Sequence, residues 1–219
     1  MKKTTTAAMA MLATAALAAG TAKQQPVNHV PERLDSVRLI QPAAAKSNHL
    51  LIVNVADAIP AHVWPTVVTY AVSKLQLNTW TNSVSGFTAA DYVADPARVQ
   101  KTFGDKAKVA VFMVDDPQAP RYLGAPGHWY AVNVNGLGGG GADEQTVKDR
   151  YAKMILKGMA YASGGGSSLD SSCSLFFGSF DIDGIDGTKI QIAPTTYFPM
   201  LEVLKKIGGT EMLTPAMGD

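Results

Sequence analysis

Apolar residues in this chain gather in two kinds of block. Short unbroken runs stand at 50–55 (Leu-Leu-Ile-Val-Asn-Val) and 108–114 (Lys-Val-Ala-Val-Phe-Met-Val), the pattern of buried strands. The stretch 129–135 alternates instead. Tyr130, Val132 and Val134 point one way and Ala131, Asn133 and Asn135 the other, which predicts a strand with one face in water. A further strand fits 78–84. Val63, Val67, Tyr70, Ala71, Lys74 and Leu75 recur at three- and four-residue spacing and predict a helix over 60–77, with Pro60 and Pro65 in its first turns. Asp95 and Pro96 have the cap and first-position chemistry of a short helix reaching Phe103. The longest helical stripe is Val147, Tyr151, Met154, Ile155, Met159 and Ala162; Asp143 and Glu144 give it an acidic start and Gly164 to Gly166 end it. A last helix is expected over 198–207, stopped by Gly208 and Gly209. Strand, helix, strands, long helix and a loop-rich end make an α/β layout, and no internal repeat is present.

The first residues add an address. Met1-Lys2-Lys3 is followed by an uncharged run to Ala22, apolar and small from Ala7 to Ala19, and this reads as a secretory signal peptide at 1–22. The run falls short of the roughly 20 apolar residues of a bilayer span, so no transmembrane segment is expected. An exported protein, periplasmic or extracellular, follows. Residues 23–48, rich in Gln, Pro and Ala, read as a linker or extended arm, and 49–219 as one domain large enough for a sizeable core. A net charge of +1 without a Lys/Arg cluster disfavours nucleic acid as a partner. The one cysteine, Cys173, permits no internal disulfide and is expected to be a buried free thiol.

The end of the long helix carries a resemblance. HExxH places two histidines one turn apart on a helix, where both reach one zinc, and its glutamate polarises the metal-bound water. The stretch Lys157-Gly158-Met159-Ala160-Tyr161-Ala162-Ser163-Gly164-Gly165-Gly166-Ser167-Ser168, with Cys173 and Pro194 beyond it, resembles the archaemetzincin family of zinc metalloproteases, whose signature is HExxHxxGxxHC followed by further cysteines and a Met-turn methionine. Without a gap, the family's first histidine falls on Lys157, its glutamate on Gly158, its second histidine on Tyr161, its turn glycine on Gly164 and its third histidine on Ser167. The four structural cysteines fall on Ser168, Cys173, Ala193 and Thr196, and the Met-turn methionine on Leu175. The resemblance implies a metzincin-like zincin domain: a mixed twisted sheet, a long central helix and a loop-rich C-terminal part. It also implies a degenerate site. An ammonium at Lys157 repels a divalent cation, Gly158 offers no base, and no metal or cofactor is expected. If the four positions face one cleft, restoring His, Glu, His and His at 157, 158, 161 and 167 should create zinc affinity.

Other candidates have simpler readings. Arg150, Lys153 and Lys157 share a helix face that reads as a solvated basic stripe. His128, Trp129 and Tyr130 place aromatics beside a strand, where they could line a ligand cleft; a surface-loop histidine is the plainer alternative. His29, His49 and His62 form no pair at ligand spacing. Asp181, Asp183 and Asp186 read as an acidic turn, because the oxygen ligands and glutamate of a calcium loop are missing. Gly136 to Gly141 lacks the ending of a phosphate loop and reads as a flexible link. Three functions remain open: an exported pseudoprotease that binds an unknown peptide, protein or glycan or has a structural role on the envelope; an enzyme rebuilt in the same cleft around Tyr161, His128 and Lys157; or an unrelated peptide- or carbohydrate-binding module.

The signal peptide predicts a mature N-terminus between Ala19 and Lys23. N-terminal sequencing of the exported chain checks this, and a chain still starting at Met1 refutes it.

Overall fold

The computed structural model describes residues 28–30, 50–75, 79–84, 91, 94, 109–125, 128–176 and 181–206. The signal peptide, most of the arm, the short helix at Asp95, and His49 lie outside the described residues.

Five strands form one mixed sheet: β1 (Leu50–Val55), β2 (Thr79–Val84), β3 (Val109–Val114), β4 (Tyr122–Ala125) and β5 (Trp129–Asn133), in the order β2-β1-β3-β5-β4. The pairs β1–β2, β1–β3 and β3–β5 are parallel, and β4 runs antiparallel along the edge of β5. Four helices are described: α1 (Trp64–Leu75), α2 (Glu144–Ala162), α3 (Ile182–Asp186) and α4 (Pro194–Lys206). One apolar cluster joins Ile52, Val111, Met113 and Val132 of the sheet to Val67, Ala71, Ile155 and Met159 of α1 and α2. A second lines the opposite face with Leu51, Val53, Phe112, Trp129 and Ala131.

The continuous apolar runs became β1 and β3, as buried parallel strands require. The alternation in β5 misled. Trp129 and Ala131 enter the second apolar cluster and Asn133 is buried, so the face read as wet is covered. Asn133 tolerates burial because its amide donates to the carbonyls of Asp116 (2.6 Å) and Ala119 (2.9 Å), while its Oδ1 accepts from the amides of Asp116 and Asn135. It thereby shapes the turn that leads into β4, a four-residue strand between Pro120 and Pro126 that shows no usable alternation.

Two helix starts also moved. Pro60 stands before α1, its carbonyl accepting from Val63 and Trp64, and only Pro65 lies in the first turn. The last helix begins four residues before Phe198 because Pro194 takes the first position; Pro199 lies inside the helix.

The long helix follows its local signals closely. Asp143 caps it, accepting from the amide of Thr146 at 2.8 Å. At its other end Gly164 adopts φ +78°, with its N–H on the carbonyl of Tyr161 (3.0 Å) and that of Gly165 on Ala160 (2.7 Å). These two bonds are a Schellman closure, which needs a left-handed residue. A Cβ at Gly164 would meet Val203 of α4 at 3.0 Å. Gly164→Val should therefore cost about 2 kcal/mol and lower the melting temperature by roughly 4–8 °C at this size. Thermal unfolding checks it; an unchanged melting temperature would mean that the turn is not held in this conformation.

Candidate functional site

Every residue of α2 from Lys148 to Ala162 is buried, which sets an electrostatic problem, because five of them carry charge. Buried charges persist only where paired or hydrogen-bonded. The basic stripe is accordingly not solvated. Arg150 holds Asp186 of α3 through Nε (2.8 Å) and Nη2 (2.7 Å) and gives Nη1 to the carbonyl of Leu137 (2.9 Å). Lys153 Nζ donates to the carbonyl of Ile185 at 2.9 Å. Lys157, 1% exposed, reaches the carbonyl of Phe176 at 3.4 Å and stands 5.1 Å from the centre of the Tyr122 ring. Three cations on successive turns thus fasten the C-terminal segment to the helix.

The same contacts correct the glycine loop. Leu137 is fully buried within it, Arg150 also reaches the carbonyl of Gly139 (3.3 Å), and Gly136, Gly140 and Gly141 take positive φ. It is a shaped turn rather than a flexible link. The acidic turn has the same structural character. Asp181 caps α3 through the amide of Gly184 (2.8 Å), and Asp186 pairs with Arg150.

Around Lys157 three tyrosines meet. Tyr161, one turn further along α2, lies edge-on to Tyr122 of β4 (centroids 5.6 Å, 89°) and tilted against Tyr130 of β5 (5.2 Å, 49°). Its hydroxyl is 3.0 Å from Ser167 Oγ, just past the helix end. Gly124, paired with Tyr130 across the strands, leaves room for that ring; a Cβ there would meet Tyr130 Cδ2 at 2.6 Å. Burial holds the Lys157 ammonium down at about 8, with Cys173 acting in the other direction. Burial likewise pushes the phenols of Tyr122, Tyr130 and Tyr161 up, and for Tyr161 the Ser167 hydrogen bond opposes it.

Gly158 looks elsewhere. A Cβ on it would stand 2.6 Å from Val132 Cγ2 and 2.7 Å from Val111 Cγ1, so this position presses directly on β3 and β5. A glutamate here would meet the sheet and not stand as a base in a cleft, so the reconstruction loses its general base, while the three histidine positions are a separate matter. Lys157, Tyr161 and Ser167 do gather on one side. His128 is exposed, and Trp129 belongs to the apolar cluster on the far face of the sheet, so only Tyr130 of that trio joins the group. Tyr122 was missed by sequence reasoning; recognising β4 as the edge strand was the only signal that could have found it.

Leu175 is fully buried in the loop after α2, and its N–H points at Cys173 Sγ (3.4 Å). Cys173 is a buried free thiol, also 3.2 Å from the amide of Ala193. Hydrogen bonds run through the positions assigned to the structural cysteines and their neighbours: Ser168 N to Leu175 O (2.8 Å), Ser174 N to Gln191 O (2.9 Å) and Thr196 N to Ala193 O (2.9 Å). Among the described residues, no three His, Cys, Asp or Glu side chains are placed to share a metal ion.

Two solved structures share this architecture. Archaemetzincin from Methanopyrus kandleri superposes with a TM-score of 0.57 at 14% identity, covering 74% of this chain and 99% of that one. A zinc-dependent peptidase from Methanocorpusculum labreanum gives a TM-score of 0.54 at 12% identity, covering 68% and 99%. The chain has an archaemetzincin-like fold. At these identities the likeness is one of fold. No protein-family model matches the sequence, and no curated protein matches it at a significant level.

The depressed Lys157 makes stability depend on pH with a definite sign. In the unfolded chain a lysine titrates near 10.4, in the fold at about 8. Between these values the unfolded state binds the extra proton, so this group makes stability rise with pH across that window. Lys157→Met removes the titration. Its melting temperature relative to the unaltered chain should be more favourable at pH 7 than at pH 9.5. A pH-independent difference would show that the ammonium is not desolvated.

Proposed function

We propose that this chain is an exported metzincin-like scaffold that binds a partner and does not hydrolyse peptides by the zinc mechanism. The observation that carries this reading is Lys157, a buried cation at the position assigned to the first zinc ligand. A second positive charge of +2 beside it is opposed in a water-poor site, where charges interact far more strongly than in bulk water. The other assigned positions agree. Tyr161 is packed between two tyrosines and bonded to Ser167, and Gly158 is occupied with the sheet. The residues present do not fit a tetrahedral zinc, which takes neutral imidazoles or anionic ligands. The aromatic wall of Tyr122, Tyr130 and Tyr161 and the Ser167 hydroxyl suit a peptide or glycan ligand, with apolar faces and a few hydroxyl donors.

One observation favours an enzyme in the same place: an amine held at about 8 by burial, one turn before Tyr161, whose hydroxyl is paired with that of Ser167. That reading requires an activity that survives chelator and is lost on Lys157→Met. The third possibility, a module of unrelated fold, is set aside by the archaemetzincin-like architecture.

The purified chain, incubated with one equivalent of zinc and desalted, should carry no stoichiometric metal by elemental analysis and should not cleave casein. Chelator should leave its melting temperature unchanged, because no metal-binding energy is linked to folding. Tightly held zinc, or proteolysis that chelator abolishes, would overturn the reading.

A further inference from the structure

The opposite half of α2 holds a piece of the chain from far upstream. Asp149 is 3% exposed, yet its carboxylate faces three donors. Oδ1 accepts from the backbone N–H of Val30 (2.8 Å) and from Gln145 Nε2 (2.9 Å), and Oδ2 pairs with His29 Nδ1 (2.7 Å). Gln145 Nε2 also donates to the carbonyl of Val30 at 2.6 Å. Two side chains one turn apart on a single helix therefore hold both the N–H and the C=O of one residue. The Val30 side chain, 1% exposed, is seated in the main apolar cluster, while His29 stays largely in solvent.

This is how a peptide is captured: backbone hydrogen bonds give affinity and a pocket reads one side chain. Gln145 is already oriented towards Asp149 by a bond within the helix, so half of the clamp is formed before the segment arrives. Two of the three donors to a buried carboxylate come from the segment itself. Without it Asp149 loses two of its three hydrogen-bond donors and keeps Gln145 and the charge of Lys153 one turn along the helix, and losing donors from a buried carboxylate is costly. The seat is built to be filled.

We propose that this face of α2 is a peptide-binding site, filled in the resting chain by its own Asn28–His29–Val30 segment and open to an extended peptide that offers a donor side chain followed by a small apolar residue. The backbone clamp requires a free N–H at the apolar position, so proline is rejected there. The tethered segment competes with any incoming peptide at an effective concentration on the order of mM. The site does not involve Lys157 or the tyrosines, so it stands or falls separately from the function proposed above.

The test uses the full chain and a fluorescent synthetic peptide of residues 25–34. Val30→Asp places a second carboxylate beside Asp149 in an apolar seat and so ejects the tethered segment. The folded Val30→Asp chain should bind the peptide one-to-one, at least ~10-fold more tightly than the unaltered chain does. Adding Asp149→Leu should abolish binding, and the peptide carrying Val30→Pro should not bind. Failure of the folded Val30→Asp chain to bind the peptide overturns the proposal. Hydrogen exchange of the unaltered chain is an independent test, decisive even if that variant does not fold. The Val30 amide should exchange faster than the core amides of α2, because the segment releases without global unfolding. Exchange of Val30 only at the global rate would make the segment an inseparable part of the fold and end the proposal.

Discussion

The long helix rests on the sheet at a distance that no side chain larger than hydrogen permits at residue 158. With Val111 and Val132 already occupying the space of a Cβ, α2 is pressed into the sheet, and its neighbours along the helix are carried inward with it. Interiors are packed to crystal-like density, so this approach decides what surrounds every other position. Lys148 to Ala162 are buried as a block, and the charges among them must be met by protein groups instead of water. Arg150, Lys153 and Lys157 find Leu137, Asp186, Ile185 and Phe176. In this sense the C-terminal loops are arranged around the needs of three cations.

The loop region is also held by hydrogen bonds of its own. The segment from Ser168 to Thr196 is laced by main-chain hydrogen bonds, by the Gln191 side chain on Ser172, and by Ser174 on the carbonyl of Lys189. Each bond contributes only about 1 kcal/mol net, but together they close the same loops that the resemblance assigns to a structural zinc.

What could be read from the sequence divides by range. Local chemistry was legible: the apolar runs of β1 and β3, the Asp143 cap, the stop at Gly164 and the α/β order all depend on neighbours within a turn or a strand. The archaemetzincin-like likeness was legible too, from spacing around Gly164 and Cys173 where few identities remain. Long-range contacts were not. Arg150, Lys153 and Lys157 look solvated in sequence, because the carbonyls that bury them lie in a distant loop. Asn133 looks wet for the same reason, since its partners are in the turn before β4. Gly158 looked like a lost glutamate, and only the sheet beneath it shows that the position serves packing. The Asn28–Val30 segment had no pattern at all; its place is set by a carboxylate more than a hundred residues away.

Cys173 brings in time as well as structure. Its sulfur lies within reach of the amide of Leu175, two residues on, and of that of Ala193, which arrives only when the C-terminal segment has closed over it. Once closed, a thiol with no exposed surface is sheltered from oxidants and from other chains. Before closure it is an ordinary accessible thiol. If the chain is exported as proposed, an oxidising compartment threatens this thiol only in the interval before loop closure. In such a setting the speed of closure bears on how much protein escapes cross-linking, apart from the stability of the finished fold.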